Sequence, residues 1–512
     1  MKKSLHFLLL YLSLLACNNP AEAPAENAPP KPQKLSADLW IQGGTIIDGS
    51  GGEAFGGDVL IKDQQIIYLG KTEALEVEAS QTIDAQGMLV SPGFIDAHSH
   101  GGTRNNLAQG VTTLCLGQDG NSGALASLHT KLESENLALA LNEAWWVGHG
   151  SLRSGSGVGT RKDPGIKLID GMREQLSILL HKGAFGLSTG LEYVPGMYAD
   201  QEELLALATA VGQTDGVMVS HMRNEDDDQL FAAIDELAAC GERCRVHVSH
   251  LKSVYGKGEA RAQEIIAYLD QVGAQTQGLT ADLYPYTASY TTIGIVFPEW
   301  ARPPADYPSV RHSREKELAA YLRERVNKRN GPAATLFGSK AYAGKTLAQV
   351  AREQNRPFEE VLMDIGPRGA SAAYFVMDDE LQKALTAWPQ LMISSDGSET
   401  MHHPRGFGSF TKVLSEWSLE DQIMSLEKAI YKMTGLPAAT FGFENRGLLK
   451  EGYYADIAIF KPEALRSSAS FIKPHRLAEG MHLVLINGQI VWQNQEWNGK
   501  KAGQLLKKRS GN

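Results

Sequence analysis

The stretch SPGFIDAHSH sets Asp96, His98 and His100 at alternate positions behind an apolar lead, Phe94 and Ile95. Successive residues of a strand point to opposite sides, so these three side chains share one face. Two imidazoles converging with a carboxylate are suited to holding a divalent cation. H-x-H is also an ordinary polar strand end, so the rest of the chain must decide. Five further candidates occupy comparable places: Asp119 in LGQDG, Glu192 in STGLEYVPG, His221 in VMVSHMR, His250 in RVHVSHLK and Asp396 in LMISSDG.

The frame that would position them is legible in the runs they end. Eight short apolar segments recur through the middle of the chain: GFIDAHSH, GVTTLCLG, ALALNEAWWVG, AFGLSTG, VMVSHMR, RVHVSHLK, LTADLYPY and LMISSDG. Segments between them, such as DQLFAAIDELAACGE and ARAQEIIAYLDQVGA, repeat apolar residues every three or four positions, as amphipathic helices do. Strands alternating with helices imply a parallel sheet, and eight of them imply an α/β fold, a (β/α)8 TIM-like barrel. Active sites of such barrels lie at the C-terminal ends of the strands. Each candidate alone would pass for a satisfied core residue, but all fall at that one end. The expected metal ligands are His98, His100, Asp119, His221 and His250, with Glu192 a secondary carboxylate. Nitrogen and oxygen donors suit one or two Zn2+ ions, and another divalent ion is compatible.

A metal there would polarise an amide carbonyl and acidify water, and Asp396 is the expected proton shuttle to the leaving nitrogen. Its alternative is a helix N-cap within SDGSE. Lys252, two residues past His250, and Arg405, in HHPRG, are placed to meet a substrate carboxylate; solvated loop charges are the alternative. His402 and His403 either line the pocket or merely flank Pro404. Residues from about 293 to 345, with PEWARPPADYP, fit no further repeat and read as an insertion, a lid candidate.

Both ends of the chain differ in pattern. LWIQGGTIIDGSG, GGDVLIKDQQIIYLG and QTIDAQGMLVSPG alternate like strands, as do YYADIAIF and MHLVLINGQIVWQ. Neither end has enough apolar surface for its own core, so residues 36–92 and 447–512 are expected to make one small β-sandwich beside a barrel of 93–446. Ahead of it, MKKSLHFLLLYLSLLAC is a leader with an apolar run too short to span a bilayer. Its LLAC resembles a bacterial lipobox, which implies cleavage at 1–17, lipidation of Cys17 and a Pro/Ala-rich tether over 18–35. The protein is thus expected to be exported to the cell envelope and held at the membrane through Cys17. Cys115 is expected in the core, and Cys240 and Cys244 as small buried thiols rather than a disulfide. With 49 basic and 59 acidic residues the net charge is -10, and no basic block precedes the terminal KKR, which argues against nucleic-acid binding.

From the leader's end onward the chain resembles the amidohydrolase superfamily, in particular the D-aminoacylase or N-acyl-D-amino-acid deacylase family. PGFIDAHSH, GVTTLCLG, VGHGSLR, GLSTGLEYVPGMYA, SHMRNE, VSHLK, DLYPYTAS, SSDG, HPRGFGSF and KMTGLPAATFGFENRGLLKEGYYADIAIF occur in the family's order. The resemblance implies metal-dependent hydrolysis of an N-acylated amino acid, with Lys252, Tyr286, Ser289 and Arg405 holding its carboxylate. His149 in VGHGSLR is a motif residue without an evident role. One departure stands out: similar proteins carry a cysteine ligand in a GNCG-like turn where this chain has Asp119. The wider superfamily often bridges two metals with a carboxylated lysine ending strand four; here Lys182 is at the wrong end, leaving Asp119, or Glu192, to bridge. A cyclic-amide or dipeptide hydrolase, or a non-catalytic ligand-binding envelope lipoprotein, are the alternative functions.

Overall fold

The computed structural model describes residues 33–509; the leader, Cys17 and the tether to residue 32 lie outside the described residues. Strand β1 (Gln33–Ile46) begins within the segment read as tether, because its first residues pair in parallel with β4 (Leu75–Asp84). Hairpin β2 (Phe55–Lys62) and β3 (Gln65–Gly70) pairs with β1, and β5 (Leu89–Pro92) joins its far end.

The barrel follows. Its first strands are β6 (Phe94–Asp96) and β7 (Val111–Leu116). The third comes in two pieces, β8 (Asn142–Trp145) and β9 (Val147–Gly148), with Trp146 N–H donating to Leu116 C=O at 2.9 Å between them. Then come β10 (Gly186–Gly190), β11 (Val217–His221), β12 (Arg245–Val248) and β13 (Leu279–Leu283), all parallel. The expected helices appear as Leu230–Cys240 and Gly258–Gly273, burying Leu230, Ala233, Ile234 and Leu237, and Ala262, Ile265 and Leu269. Phe441 and Phe443 plug the N-terminal end of the barrel against Trp146, Phe185 and Cys115, so Cys115 is core. Cys240 and Cys244 are buried free thiols.

The insertion is larger than expected. Strands β14 (Ala288–Thr292), β15 (Thr335–Phe337) and β16 (Ser371–Phe375) form an antiparallel sheet with β16 central. This subdomain has its own core of Phe297, Leu318, Leu322, Phe337, Leu362 and Tyr374. It therefore spans 288–375 rather than 293–345, because β16 returns over about 80 residues to pair with β14, a long-range pairing no local pattern signals. The last barrel strand, β17 (Leu391–Ile393), pairs with β13. Closure comes from the chain just beyond: Asp396 N–H donates to His98 C=O and His100 N–H to Gly397 C=O, both at 2.8 Å.

Strands β18 (Ile457–Phe460), β19 (Met481–Ile486), β20 (Gln489–Gln493) and β21 (Glu496–Trp497) complete the sheet of the two chain ends, β18 pairing with β5. Among the described residues this sheet has nine strands with continuous pairing. It curls so that Ile66 of β3 bonds back to Tyr453, enclosing Leu39, Ile41, Val59, Ile457, Ile459 and Leu485. The tail then leaves the sheet and straps the third barrel strand, Glu143 donating to Gln504 C=O at 2.9 Å and Leu506 to Glu143 C=O at 2.8 Å. No described helix is long and apolar enough to cross a membrane.

Candidate metal centre and its cavity

Asp96, the last residue of β6, accepts from the backbone N–H of Ser395 at 2.8 Å and from its hydroxyl at 2.5 Å, tying the first barrel strand to the last. Burial pushes its carboxyl up to about 7 despite those bonds. Asp96 thus supports the site from below while His98 and His100 reach into it. His98 is fully buried, and neither of its ring nitrogens has a hydrogen-bond partner. An orphaned buried imidazole is costly, so its surroundings indicate what it is built to meet. Those surroundings are carboxylates: Asp119 Oδ1 at 3.3 Å and Asp396 Oδ1 at 3.6 Å from Nε2.

Asp119 is the shared member. Its Oδ1 also stands 3.2 Å from His250 Nε2 and 4.0 Å from His221 Nδ1, while Oδ2 stands 3.3 Å from His100 Nε2. Two donor groups meet there: His98, His100, Asp119 and Asp396, and then Asp119, His221 and His250. The set is nitrogen and carboxylate only, largely buried, and leaves His98 unsatisfied, so it fits one or two divalent cations. Glu192 lies to one side, 3.3 Å from His221 Nε2 in a third group with Glu225. Asp119, not Glu192, is the carboxylate between the two groups.

The turn carrying Asp119 is pinned by Ser188 of β10, which accepts from Gly120 N–H at 3.0 Å and donates to Gly117 C=O at 2.5 Å. At the end of β10, a Cβ on Gly190 would lie 2.3 Å from Asp119 C=O. No lysine can stand there while the Asp119 turn does. Asp119 (φ 53°), His250 (φ 38°) and Asp396 (φ 46°) all adopt left-handed backbone conformations, which side chains other than glycine rarely hold without surrounding constraint.

Asp396 faces both ways. Oδ1 is 3.1 Å from His100 Nε2, and Oδ2 accepts from Arg405 Nη1 at 2.7 Å. Burial opposes its ionisation, but Arg405 and the imidazoles outweigh burial and hold the carboxyl well below its usual range. Arg405 is buried; its Nε has no partner and Nη2 only a 3.5 Å contact to Tyr290 C=O, so one edge of the fork stays available. Lys252, also buried, donates to Glu225 Oε1 at 2.6 Å, and Glu225 stands 3.2 Å from His250 Nδ1. Burial again opposes ionisation of Glu225, and Lys252 with His221 and His250 overcomes it.

Lys252, Ser289 and Arg405 line the cavity above the donors. Tyr286 does not: its hydroxyl contacts Ser467 at 3.4 Å and its ring meets Phe471 and His403. Tyr284 lines the cavity instead, its ring 4.6 Å from the Arg405 guanidinium. Tyr286 N–H donates to Tyr284 C=O at 2.9 Å, a tight turn through Pro285 that sends the two rings apart. His403 is buried behind Arg405, bonded to Ala288 C=O at 2.9 Å, and His402 faces His475; both flank rather than line. His149 bonds Glu203 at 2.6 Å, and Glu203 also takes Arg153, in a buried cluster joining two barrel helices. Glu225, Tyr284, Tyr193 and the insertion residues Arg302 and Arg329 also line the cavity and went unread in the sequence; Glu225 in SHMRNE, Tyr193 in GLSTGLEYVPGMYA and Tyr284 in DLYPYTAS had a motif as signal, and the two arginines had none.

The cavity has a volume of about 1560 Å³. A model of the amidohydrolase family matches residues 365–492. The N-acyl-D-glutamate deacylase of Alcaligenes xylosoxydans xylosoxydans is 31% identical over 504 residues, 92% of this chain and 96% of that protein. The chain belongs to the D-aminoacylase family of amidohydrolases. Among solved members, a D-aminoacylase described by a binuclear metal centre, one metal activating and the second attenuating, superposes with a TM-score of 0.78 at 30% identity, covering 92% of this chain and all of that one. The N-acyl-D-glutamate deacylase of Bordetella bronchiseptica, complexed with zinc and a phosphonate mimic of the tetrahedral intermediate, gives 0.77 at 29% identity over the same shares.

Proposed function

We propose that this amidohydrolase cleaves the amide bond of N-acyl-D-amino acids whose side chain is acidic, with zinc as its metal, releasing a carboxylate and a free D-amino acid. The observation that carries the reading is the divided guanidinium of Arg405: one nitrogen holds Asp396, and the Nε–Nη2 edge is left for a carboxylate beside the donor cluster. That carboxylate is the α-carboxylate of the amino acid, with Lys252 adding a second positive charge. A further anion is called for by the insertion. Arg302 and Arg329 line the cavity, and among the described residues neither forms a salt bridge. Arg302 donates only to backbone carbonyls, at 2.7 Å to Phe297 and 3.0 Å to Ile295, and Arg329 Nε is buried without a partner. Their positive charge has no carboxylate partner among the described residues, and a side-chain carboxylate of the substrate would balance it, which agrees with the substrate named for the two glutamate deacylases.

His98, His100, Asp119, His221 and His250 would hold a divalent cation, which would supply Lewis acidity toward the amide carbonyl and water acidic enough to react near neutral pH. Asp396, kept ionised by Arg405, accepts the water proton and delivers it to the nitrogen, which must be protonated to leave. Lys252 and Arg405 fix the amino-acid half, and Glu225 holds Lys252 and His250 in register. D-stereochemistry is carried by the relatives.

The test is amine release by the zinc-reconstituted protein on matched N-acetyl-D- and N-acetyl-L-amino acids. Release from the D panel, with glutamate and aspartate leading, is expected; silence on both with metal bound would favour the cyclic-amide or dipeptide alternative. We also propose envelope anchoring through Cys17, supported by the leader ending in LLAC. Membrane-fraction recovery that persists in Cys17→Ala would refute it.

A further inference from the structure

We propose that the acyl group this enzyme removes is a medium-length aliphatic chain, bound in an uncharged arm of the cavity between three barrel helices. This rests on the deacylase reading and adds the identity of the other half of the substrate. The cavity is larger than the roughly 300–1,000 Å³ of most small-ligand pockets, and an N-acetyl-amino acid would occupy a small part of it. Its charges are segregated. Every Lys, Arg, Asp and Glu lining it belongs to the metal centre, to the chain after β10 or to the insertion; none comes from the lining residues between 121 and 179.

That neutral arm is walled by Ala124, Leu125 and Ala126 at the start of helix Leu125–Glu133, Gly155 at the end of helix His149–Gly155, and Ile178 and Leu179 of helix Ile166–His181. Its polar groups are hydroxyls, amides such as Gln175, and the imidazole of His129, whose Nδ1 stands 3.3 Å from Glu133; none is a lysine, an arginine or a carboxylate. The middle helix is fixed by the buried cluster of His149, Arg153 and Glu203, with Arg153 Nη1 at 2.7 Å from Glu203 Oε2, so the wall is a built surface. Ile178 is 45% exposed and Ala124, Ala126 and Gly155 are exposed as well, so the arm is a groove open to solvent along its length and sets no sharp limit on chain length.

The occupant follows from how an amide is put together. The carbonyl carbon carries the acyl group and the nitrogen carries the amino acid, so the two halves leave the scissile bond in opposite directions. Arg405, Lys252, Arg302 and Arg329 hold the anionic half on one side. The acyl half is then directed to the side without charges, where Leu125, Ile178 and Leu179 offer apolar contact. An aliphatic chain gains from such contact, each fully buried methylene being worth about fourfold in binding.

The experiment compares kcat/KM of the full-length, zinc-loaded enzyme on N-octanoyl-D-glutamate, N-acetyl-D-glutamate and N-acetyl-L-alanyl-D-glutamate. The octanoyl substrate is expected to exceed the acetyl one at least about tenfold, allowing for incomplete burial in an open arm. In Ala126→Trp, which fills the arm from an exposed helical position, and in Ile178→Glu, which charges it, the octanoyl-to-acetyl ratio is expected to fall at least about fivefold. Equal rates on octanoyl and acetyl substrates would overturn the aliphatic arm while leaving the deacylase reading standing. A ratio unmoved in both variants would overturn the placement, and the peptidyl substrate outrunning the octanoyl one would overturn the choice of occupant. No turnover of any of the three would overturn the deacylase reading and this inference together.

Discussion

Replacing Asp396 by Asn separates proton transfer from everything else the residue does. The amide can keep its one oxygen where Oδ2 accepts from Arg405 at 2.7 Å, which puts its NH2 where Oδ1 faced His100 at 3.1 Å, so the shape and the bond to Arg405 survive. It cannot take a proton from water. General-base and general-acid catalysis contribute about 10² to 10⁴ in rate, so kcat should fall by that factor, about 2.7–5.5 kcal/mol of transition-state stabilisation. The variant also trades an ion pair for a neutral acceptor beside a buried guanidinium. Breaking a buried pair outright costs about 3–5 kcal/mol, and retention of one hydrogen bond should keep the loss at or below the lower end. The assay is kcat on N-acetyl-D-glutamate with zinc content measured on the same sample, and thermal unfolding as the control for folding. A folded variant with wild-type zinc and kcat within about tenfold of wild type would refute Asp396 as the proton carrier.

Other perturbations test the surrounding assignments. Arg405→Lys keeps the charge beside Asp396 but loses the fork, so KM should rise roughly tenfold to a hundredfold with a smaller change in kcat; an unchanged KM would remove Arg405 from carboxylate binding. Tyr286→Phe should leave kcat/KM within about twofold, since its hydroxyl meets Ser467 and not the cavity, and a large loss would contradict that placement. Metal binding should release protons. Burial works against charge on His100, but Asp119 and Asp396 outweigh it and push the imidazole up to about 9; burial and Lys252 work against His250, which Asp396, Asp119 and Glu225 push up to about 10. Both rings therefore hold protons at neutral pH that a metal must displace, so zinc affinity should rise with pH until about those values and fall away as pH drops. Calorimetry in two buffers of different ionisation enthalpy should find about one to two protons released per site filled near neutral pH, and none released would refute the reasoning.

The parts of the site that were legible are those set by local periodicity. His98 and His100 are two apart just past a strand end, where their backbones pair with Asp396 and Gly397; His221 and His250 end apolar runs that had to be barrel strands. Tyr286, expected from the resemblance to hold the substrate carboxylate, stands outside the cavity because Pro285 turns the chain and sends its ring away from that of Tyr284. Glu225 was missed for a different reason. It comes from the loop after β11, and its partners Lys252 and His250 are far along the chain, so its role exists only after folding. Arg302 and Arg329 belong to the subdomain whose extent was itself misjudged, since β14 and β16 meet across the whole insertion.

Asp119 and Gly190 are best understood as one choice. The carboxylated lysine that the superfamily resemblance implies would have to come from the end of the fourth strand, where this chain has Gly190. That glycine lets the Asp119 turn approach until its carbonyl occupies the space a side chain would take. Ser188, one turn of the pleat earlier, holds the turn at both Gly117 and Gly120. The carboxylate shared by the two donor groups thereby comes from the loop after the second strand rather than from the fourth. A carboxylate there is a harder donor than a thiolate, and it offers two oxygens: Oδ1 toward His98 and His250, Oδ2 toward His100. The same turn leaves Gly120 and the residues after it free to open into the neutral arm of the cavity. One substitution pair therefore sets both the character of the metal centre and the room available beside it.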